Sequence, residues 1–314
     1  MQVSDLTVGN HAPIQRPIRV PSLVVRHGPI VTPDMLAGTD GANINGPSLI
    51  RVPDWVSSPL GRYYLYFAHH QGAYIRLAYA DTLAGPWRLY KGGVLSLEEC
   101  PFARGHIASP DVHINAAGKT ITMYFHGPSM AEREQRTFAA VSADGLGFTA
   151  PSTVLGRSYV RVFARDGWHY GIFGAKNQRL CRSRTGLSKF EPGPLLFPLN
   201  NGTDPTVRHV ALQKIGESLR VYYTRRGDAP ERILFGDIDL RRDWKDWTVY
   251  GQQELMRPER VYEGADEPIA PSKGGIARGR EHALRDPAIY EENGRTWLLY
   301  AIAGEQGIAL AEIP

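Results

Sequence analysis

The fold is indicated by the stretch Arg62-Tyr63-Tyr64-Leu65-Tyr66-Phe67, which is followed by Ile75-Arg76-Leu77-Ala78-Tyr79-Ala80 and, after a Gly-Pro turn, by Trp87-Arg88. A shorter apolar segment, Gly46-Pro47-Ser48-Leu49-Ile50, precedes this stretch. Aromatic and β-branched residues separated by turn residues are typical of short antiparallel strands. Together these segments predict one small sheet of four strands.

The same pattern recurs four more times along the chain, at residues 109–148, 159–183, 208–247 and 286–313. A repeat of about 50 residues that predicts a small sheet is typical of a β-propeller, because one such sheet cannot bury its faces alone. No long stretch shows the periodicity of an amphipathic helix. We therefore predict an all-β protein with a five-bladed β-propeller.

The predicted blades span roughly residues 40–100, 101–156, 157–200, 201–260 and 281–314, and residues 261–280 form a lid-like loop. The last copy is one strand short, which would leave an exposed sheet edge. We predict that the N-terminal strand Ile18 to Val25 completes this blade and closes the ring. Five blades use nearly all of the 314 residues, so residues 1–314 are predicted to be one domain.

Composition and charge restrict the expected partners and compartment. The net charge is +4, but lysine and arginine are scattered, and no basic run typical of a nucleic-acid groove occurs. The sequence shows no signal-peptide pattern and no run of about 18 apolar residues. We expect a cytoplasmic protein with neither nucleic-acid nor membrane partners, while the sequence does not indicate the oligomeric state. Cys100 and Cys181 are too few for a disulfide framework, so we expect reduced thiols.

Propeller geometry predicts where polar side chains meet. The first strand of each blade lines the central channel, and adjacent strands run in opposite directions, so first strands start on the face where second strands end. First-strand starts carry Asn43, Asn45, His106, Ser109, Asp111, Tyr159, Arg161, Arg208, His209, Glu281, His282, Arg285 and Asp286. Second-strand ends carry His69, His70, His126, Lys176, Arg225, Arg226 and Glu305. This convergence of ionisable residues predicts a binding or catalytic site.

Each of these residues also has a purely structural interpretation. An aspartate before proline, as in Asp286-Pro287, often caps a turn. A histidine within a strand, such as His113, is more often a packed residue than a ligand or base. Arg161 and Arg208 could equally form ion pairs between blades.

On these features the chain resembles the five-bladed β-propeller glycosidases, the superfamily of glycoside hydrolase families 43, 32, 68 and 117. The resemblance covers roughly residues 40–314 and rests on the blade pattern, on the aromatic strands with their Gly-Pro-Trp turn, and on Arg285-Asp286-Pro287-Ala288-Ile289. It implies a glycosidase that acts on a small carbohydrate without a required cofactor. A divalent metal ion in the channel is compatible with the pattern.

The chain departs from this superfamily at one position. The superfamily usually carries an aspartate directly before proline in blade one, as base or nucleophile, together with a second aspartate and a glutamate proton donor. The matching residue here is Gly46, preceded by Asn45, and the blade-two position is Ser109. Asp111 lies two residues further on and therefore on the same strand face. Asp286 and Asp111 are then the carboxylates expected nearest the channel.

The proton donor has several candidates. Glu263 lies on the long loop between blades four and five, and connections of this length often carry binding or catalytic residues. His106 or His209 could act as the acid instead, as a histidine does in family 117, since histidine titrates near neutrality. The predicted catalytic residues are therefore Asp286, Asp111, Glu263, His106 and His209.

The remaining polar residues are predicted to contact the substrate: Asn45, His69, His70, His126, Tyr159, Arg161, Lys176, Arg208, Arg225, Glu281 and Arg285. Arg161, Arg208 and Arg285 around one pocket would hold a carboxylate or a pair of hydroxyls, which indicates an acidic or anhydro sugar.

Three functions remain open at this point. The first is a glycoside hydrolase acting on a short oligosaccharide or glycoside. The second is a metal-dependent lyase or hydrolase whose divalent ion is held by His69, His70, His106, His126 and His209 with Asp286 as a carboxylate ligand. The third is a non-catalytic carbohydrate-binding propeller, which the glycine at position 46 favours.

Overall fold

A computed structural model describes residues 24–174, 178–197 and 206–314 of the chain. These residues form twenty β-strands and four short 3-10 helices. The strands in chain order are β1 (Val25–Val31), β2 (Asn45–Arg51), β3 (Tyr63–Ala68), β4 (Tyr74–Ala80), β5 (Arg88–Ser96), β6 (Ala108–Asn115), β7 (Thr120–Pro128), β8 (Gln135–Ser142), β9 (Gly156–Arg157), β10 (Val160–Arg165), β11 (Trp168–Phe173), β12 (Arg179–Ser183), β13 (Glu191–Leu195), β14 (Val207–Ile215), β15 (Ser218–Arg225), β16 (Ile233–Asp239), β17 (Tyr250–Met256), β18 (Arg285–Glu292), β19 (Arg295–Ala301) and β20 (Ile308–Ile313). The 3-10 helices are Pro33–Met35, Gly38–Ala42, Trp244–Asp246 and Val261–Glu263.

The strands form five antiparallel sheets of four strands each, which are the blades of the propeller. Blade 1 contains β2 to β5, blade 2 contains β6 to β9, blade 3 contains β10 to β13 and blade 4 contains β14 to β17. Blade 5 has the order β18, β19, β20 and then β1. The predicted five-bladed β-propeller is therefore confirmed.

The N-terminal strand closes the ring, as predicted, but it lies later in the chain. Strand β1 pairs antiparallel with β20, from Val25 opposite Glu312 to Val31 opposite Ile308. The predicted strand, Ile18 to Val25, falls mainly before residue 24 and so mainly outside the described residues. Pro29 obscured the observed strand in the sequence, yet proline is tolerated here because an outer strand needs hydrogen bonds on one side only.

The core is divided among the five seams between neighbouring blades. Successive side chains of a strand point to opposite sheet faces, so one strand supplies two seams. On β3, Tyr64 and Tyr66 pack against blade 2, whereas Tyr63 and Leu65 pack against blade 5. Separate apolar clusters fill the seams between blades 2 and 3, 3 and 4, and 4 and 5. The aromatic strands thus hold adjacent blades together.

Cys100 and Cys181 are buried and free. Burial raises the pKa of the Cys100 thiol to about 12 and that of Cys181 to about 11, so neither thiol is a nucleophile at neutral pH. Within the described ranges, no helix has the length and apolar character needed to cross a membrane.

Closure by β1 leads to a prediction about stability. A chain that begins at residue 32 lacks β1 and leaves β20 as an unpaired edge, so it should melt at a clearly lower temperature than the full chain. The matched control begins at residue 24 and keeps β1. Differential scanning calorimetry compares the three proteins. Equal melting temperatures for the two truncated chains would show that β1 does not stabilise the ring.

Candidate active site

A backbone bulge recurs at the start of the first strand in blades 1, 2 and 5. In each blade the pairing register shifts there, and the shift contains a residue in the left-handed region followed by proline. These residues are Gly46 (φ 61°), Ser109 (φ 53°) and Asp286 (φ 47°). A bulge tolerates proline and re-aims side chains, and strained backbone of this kind is concentrated at functional sites. Of the three residues, Asp286 carries the ionisable group.

Asp286 is buried, with 2% of its surface exposed, and contacts His209 on β14 of the adjacent blade. The contact joins Oδ1 of Asp286 to Nδ1 of His209, whereas Oδ2 of Asp286 has no hydrogen-bond partner among the described residues. Burial lowers the pKa of His209 well below its usual value, and the charges of Arg208 and other nearby cations lower it further. A neutral imidazole with its proton on Nδ1 would donate to Oδ1 and leave Oδ2 able to accept a proton.

A row of aromatic rings extends from His209 across the neighbouring blades. The Tyr159 ring lies 4.2 Å from His209 and 4.6 Å from His126, and His126 meets His106 edge to face at 6.0 Å, measured between ring centroids. Burial lowers the pKa of His126 to about 3 and also lowers the pKa of His106. The histidines in this row are therefore neutral at ordinary pH. His106 and His209, both predicted as catalytic residues, lie in this row, but as neutral imidazoles they are poorly suited to donate a proton.

Beside Asp286, the guanidinium of Arg285 is surrounded by three carboxylates. Arg285 is 1% exposed and donates from Nε to Glu231 (2.9 Å), from Nη2 to Glu281 (2.5 Å) and from Nη1 to Glu305 (3.5 Å). Glu231 also accepts a hydrogen bond from Arg208 at 3.1 Å. Paired buried charges of this kind tolerate the loss of one partner poorly. We call these five residues the Arg285 network.

Glu305 connects this network to blade 1. It is completely buried and accepts hydrogen bonds from the Asn43 side chain, from the backbone N–H of Ala277 (3.1 Å) and, across 3.2 Å, from Nδ1 of His70. Burial alone would raise the pKa of Glu305, but His70, Arg285 and Asn43 outweigh it and hold the pKa at about 2. Glu305 is therefore ionised throughout the neutral range and joins the two ends of the blade ring.

The segment between β17 and β18 lies over the Arg285 network. Arg208 donates to the backbone oxygens of Lys273 (3.1 Å) and Gly275 (3.4 Å), while the N–H of Ala277 reaches Glu305. Arg280 bridges the same segment by pairing with Asp266 at 2.7 Å. The buried charges thus hold this loop against the site.

Several predicted substrate residues lie at the edge of this group. Asn45 donates to Asn43 at 3.0 Å, and Nδ1 of His69 accepts from the N–H of Gln71 at 3.0 Å. Arg161 is buried, with its Nε 3.9 Å from Asp111. Asn45 is thus linked through Asn43 to Glu305, whereas Arg161 is linked to Asp111 of blade 2.

The structure places Asp111 and Glu263 in structural contacts. Asp111 accepts from His113 (2.9 Å) and from the N–H of Val162 (2.8 Å), which joins blade 2 to blade 3. Burial would raise the pKa of Asp111, but His113 and the other partners lower it. Glu263 is fully buried and accepts from Arg26 and Tyr300, both at 2.9 Å, and from two backbone N–H groups. These four donors occupy both carboxylate oxygens of Glu263, so the expectation of Glu263 as proton donor has no support from its contacts.

One further predicted residue, Arg225, is not brought to the group. Arg225 donates to Gln252 on the outer strand β17 and lies near the hydroxyl of Tyr223 at 3.4 Å. Lys176 lies outside the described residues. Conversely, the list of predicted site residues lacks Glu231, although this residue pairs with two buried arginines. Its position after Asp228-Ala229-Pro230, on the loop that follows a second strand, was the available signal.

The arginines of the group are largely neutralised. Arg208 and Arg285 face Glu231, Glu281 and Glu305, so they do not form the free anion-binding set that the sequence indicated. Among the residues that the structure describes, no cluster of three or more histidine, cysteine, aspartate or glutamate side chains is arranged to hold a metal ion.

The low pKa of Glu305 leads to a prediction about acid stability. Its pKa in the folded protein, about 2, lies below the ordinary value of 4.5, so ionised Glu305 stabilises the fold at neutral pH. This stabilisation, on the order of 3 kcal/mol, should be lost as the pH falls from about 4.5 to about 2. Glu305→Gln should therefore be less stable at pH 7 and depend less on pH in that window. Urea unfolding at several pH values measures this, with exposed Glu98→Gln as control; parallel curves for wild type and Glu305→Gln would contradict it.

Comparisons with known proteins agree with the architecture. No family model matches the chain. Among solved structures, the chain is similar to CoXyl43, a glycoside hydrolase family 43 β-xylosidase/α-arabinofuranosidase from a compost microbial metagenome, with a TM-score of 0.62, 16% identity and coverage of 92% of this chain and 95% of the other. It is also similar to a family 43 enzyme from Xanthomonas citri (TM-score 0.61, 15% identity, coverage 90% and 91%) and to the α-L-arabinanase of Cellvibrio cellulosa (TM-score 0.58, 13% identity, coverage 86% and 90%).

A closer similarity in sequence comes from a viral protein. The chain is 37% identical over 300 residues to the uncharacterized protein R118 of Acanthamoeba polyphaga mimivirus, covering 87% of this chain and 84% of the viral protein. The solved structures share less than a quarter of their residues with the chain, so they establish the fold. The chain belongs to the same family as this mimivirus protein and has the five-bladed β-propeller fold of the family 43 glycoside hydrolases.

Proposed function

We propose that the protein is a glycoside hydrolase in which Asp286 is the general acid or base that transfers a proton during cleavage. The observation that carries this proposal is the unpartnered Oδ2 of a buried carboxylate, held by a left-handed bulge at the start of a first strand. A buried carboxylate oxygen without a hydrogen bond lowers the stability of the folded protein, and such atoms in native structures often have a catalytic or ligand-binding role. Gly46 and Ser109 occupy the same bulge in blades 1 and 2, so blade 5 carries the ionisable version of a repeated position.

His209 is proposed as the residue that positions Asp286. Its neutral imidazole contacts Oδ1, which orients the carboxylate so that Oδ2 is left for a water or a sugar hydroxyl. The Tyr159 and His126 rings continue the row beyond His209, so ring carbon atoms lie beside the proposed acid–base centre. The acid–base centre and the aromatic surface are thus neighbours on one face of the propeller.

The proposed substrate is a short neutral oligosaccharide or glycoside. Arg208 and Arg285 are already paired with carboxylates, so an acidic sugar would have to compete with Glu231 for them. Structures similar to this chain have been solved with xylose, with xylotriose and with arabinohexaose. Neutral pentose oligosaccharides are therefore the first substrates to test.

A sugar-binding propeller without catalysis is the second candidate, and Gly46 favours it. A Cβ atom at this position would lie 3.2 Å from Cα of Ser109, so the bulge in blade 1 is closely packed as well as lacking a carboxylate. The superfamily that the chain resembles places a catalytic aspartate at this point. Turnover of any glycoside distinguishes the two candidates.

The catalytic role of Asp286 can be tested with Asp286→Asn, which preserves size and removes the basic oxygen. We expect kcat/KM on aryl xylosides, aryl arabinofuranosides or xylotriose to fall by at least about a hundredfold, with little change in melting temperature. The control Asp237→Asn alters another buried aspartate, one that forms a two-point ion pair with Arg220 at 2.9 and 3.0 Å. It should lower stability and leave kcat/KM unchanged.

Three outcomes of this assay would change the assignment. Full activity in Asp286→Asn would make Asp286 a turn residue. Binding without turnover in the wild type would favour the sugar-binding propeller. Loss of activity with a chelator, after a structural ion has been excluded by the melting temperature, would favour the metal-dependent alternative.

The positioning role of His209 can be tested with two variants. His209→Asn retains an N–H donor that can reach Oδ1 of Asp286, whereas His209→Leu removes it. We expect the leucine variant to lose about ten- to a hundredfold in kcat and the asparagine variant to lose distinctly less. Stopped assays across pH 5 to 9 provide kcat and KM separately. Equal losses in both variants would indicate that His209 serves only to pack against Tyr159.

A further inference from the structure

A second cavity lies between blades 2 and 3, on the propeller face opposite Asp286. Strand β6 starts on the Asp286 face at Ala108 and ends at Asn115, and its partner β7 starts at Thr120. The cavity, of about 470 Å³, is lined by residues at these far ends and by the facing part of blade 3. Its volume is within the range of small-molecule sites. We call it the inter-blade cavity.

The cavity exists because the strand pattern places polar residues, in place of large apolar ones, in this part of the seam. His113 pairs with Thr122 and Asn115 pairs with Thr120 across the β6–β7 ladder, so all four side chains lie on the sheet face that meets blade 3. The apolar cluster between blades 2 and 3 ends before this level, at Tyr124 and Val162. Small polar side chains do not fill the space that large apolar residues fill in the other seams.

The next seam shows the contrast. Between blades 3 and 4, Phe163, Tyr170, Trp244 and Trp247 pack ring against ring, with centroids of Phe163 and Tyr170 5.3 Å apart and those of Tyr170 and Trp247 5.0 Å apart. That seam is filled along its length by aromatic residues. The inter-blade cavity is thus a local departure from the packing that holds the propeller together.

The lining combines polar, aromatic and aliphatic side chains. No aspartate, glutamate, lysine or arginine side chain is among the described residues that line it. The side chains of Thr120 and Thr122 line the cavity, and the buried Nδ1 of His169 has no hydrogen-bond partner among the described residues. Rings of His113, Tyr124 and His169 stand beside them. Rings that pack against C–H faces, next to hydroxyl and amide groups, suit a neutral polyhydroxylated ligand.

One wall of the cavity is closely built. Gly186 is in the left-handed region (φ 72°), and a Cβ atom there would lie 2.7 Å from the hydroxyl of Tyr124 and 2.9 Å from Cδ2 of His169. The absence of a side chain lets the loop at 184–187 approach these rings. Leu187, which is 44% exposed, stands at the rim of the cavity.

We propose that the inter-blade cavity is a second binding site for one or two neutral sugar units, separate from the Asp286 site. The assignment is carried by the absence of charged carboxylate, lysine and arginine side chains from the described lining, by the polar groups of Thr120, Thr122 and His169, and by the adjacent rings. It does not depend on catalysis at Asp286, because it concerns equilibrium binding on the opposite face. A saccharide bound there would be held to the protein without entering the Asp286 site.

The test uses protein labelled at leucine and threonine methyl groups, titrated with xylotriose and with arabinohexaose and observed by NMR. The Asp286→Asn background prevents turnover. We expect saturable shifts of the Leu187, Thr120 and Thr122 methyl signals. Absence of shifts at these methyls with either sugar at about 10 mM, where a millimolar site is mostly occupied, would overturn the proposal.

Variants in the same background locate the binding. Ala164→Trp fills the cavity from an exposed lining position, and Thr122→Val removes one hydroxyl while keeping the side-chain shape. We expect Ala164→Trp to abolish the shifts and Thr122→Val to weaken affinity about five- to tenfold. Ala84→Trp, at an exposed alanine in blade 1, should bind normally. Unchanged affinity in both cavity variants would place the sugar elsewhere.

Two comparisons separate this proposal from the proposed function and from other ligands. Trigalacturonate, a charged sugar, should bind at least tenfold more weakly than xylotriose; equal affinity would refute the neutral ligand class. Hydrolysis by wild-type protein that persists in Ala164→Trp shows that the two sites are separate. Methyl shifts in a protein that hydrolyses nothing would support the cavity and reject the proposed enzyme.

Discussion

The buried guanidinium of Arg285 is the interaction on which the geometry of the site depends. Its donors meet carboxylates from the blade 4 loop, from the segment before β18 and from the turn before β20. Because each partner is buried or partly buried, no single charge can be removed without leaving another unpaired. The neighbouring residue, Asp286, is therefore held at a fixed depth and angle. The network makes the site rigid before any ligand arrives.

The repeated bulge shows how one backbone device can serve different chemistry in different blades. Gly46, Ser109 and Asp286 have the same left-handed conformation before proline, yet only the last carries an ionisable side chain. In the superfamily that the chain resembles, the first blade carries this carboxylate. A propeller has near rotational symmetry, so a reactive group can occupy another blade and still point into the same central space. Function must therefore be argued from the side chains.

The strands could be predicted from sequence because their determinants are local, whereas the pairs that build the site are not. Consecutive aromatic residues such as Tyr63 and Tyr64 indicate a strand with two buried faces. Glu231 reaches Arg285 across 54 positions from a loop that has no such pattern, so its role could not be predicted. Glu263 had the residue type and loop position of a proton donor, but Arg26, 237 positions away, occupies it. Distant partners decide which carboxylates are free.

The pairing of β1 with β20 also constrains the order in which the protein can fold. These strands lie near opposite ends of the chain, and bringing distant segments together costs entropy that only later contacts offset. Blades 1 to 4 are each built from consecutive strands and can assemble as the ribosome delivers them. Blade 5 has to wait until β20 has been synthesised, and β1 remains an unpaired strand until then. Premature pairing of β1 with another edge is thus the characteristic hazard of this ring during synthesis.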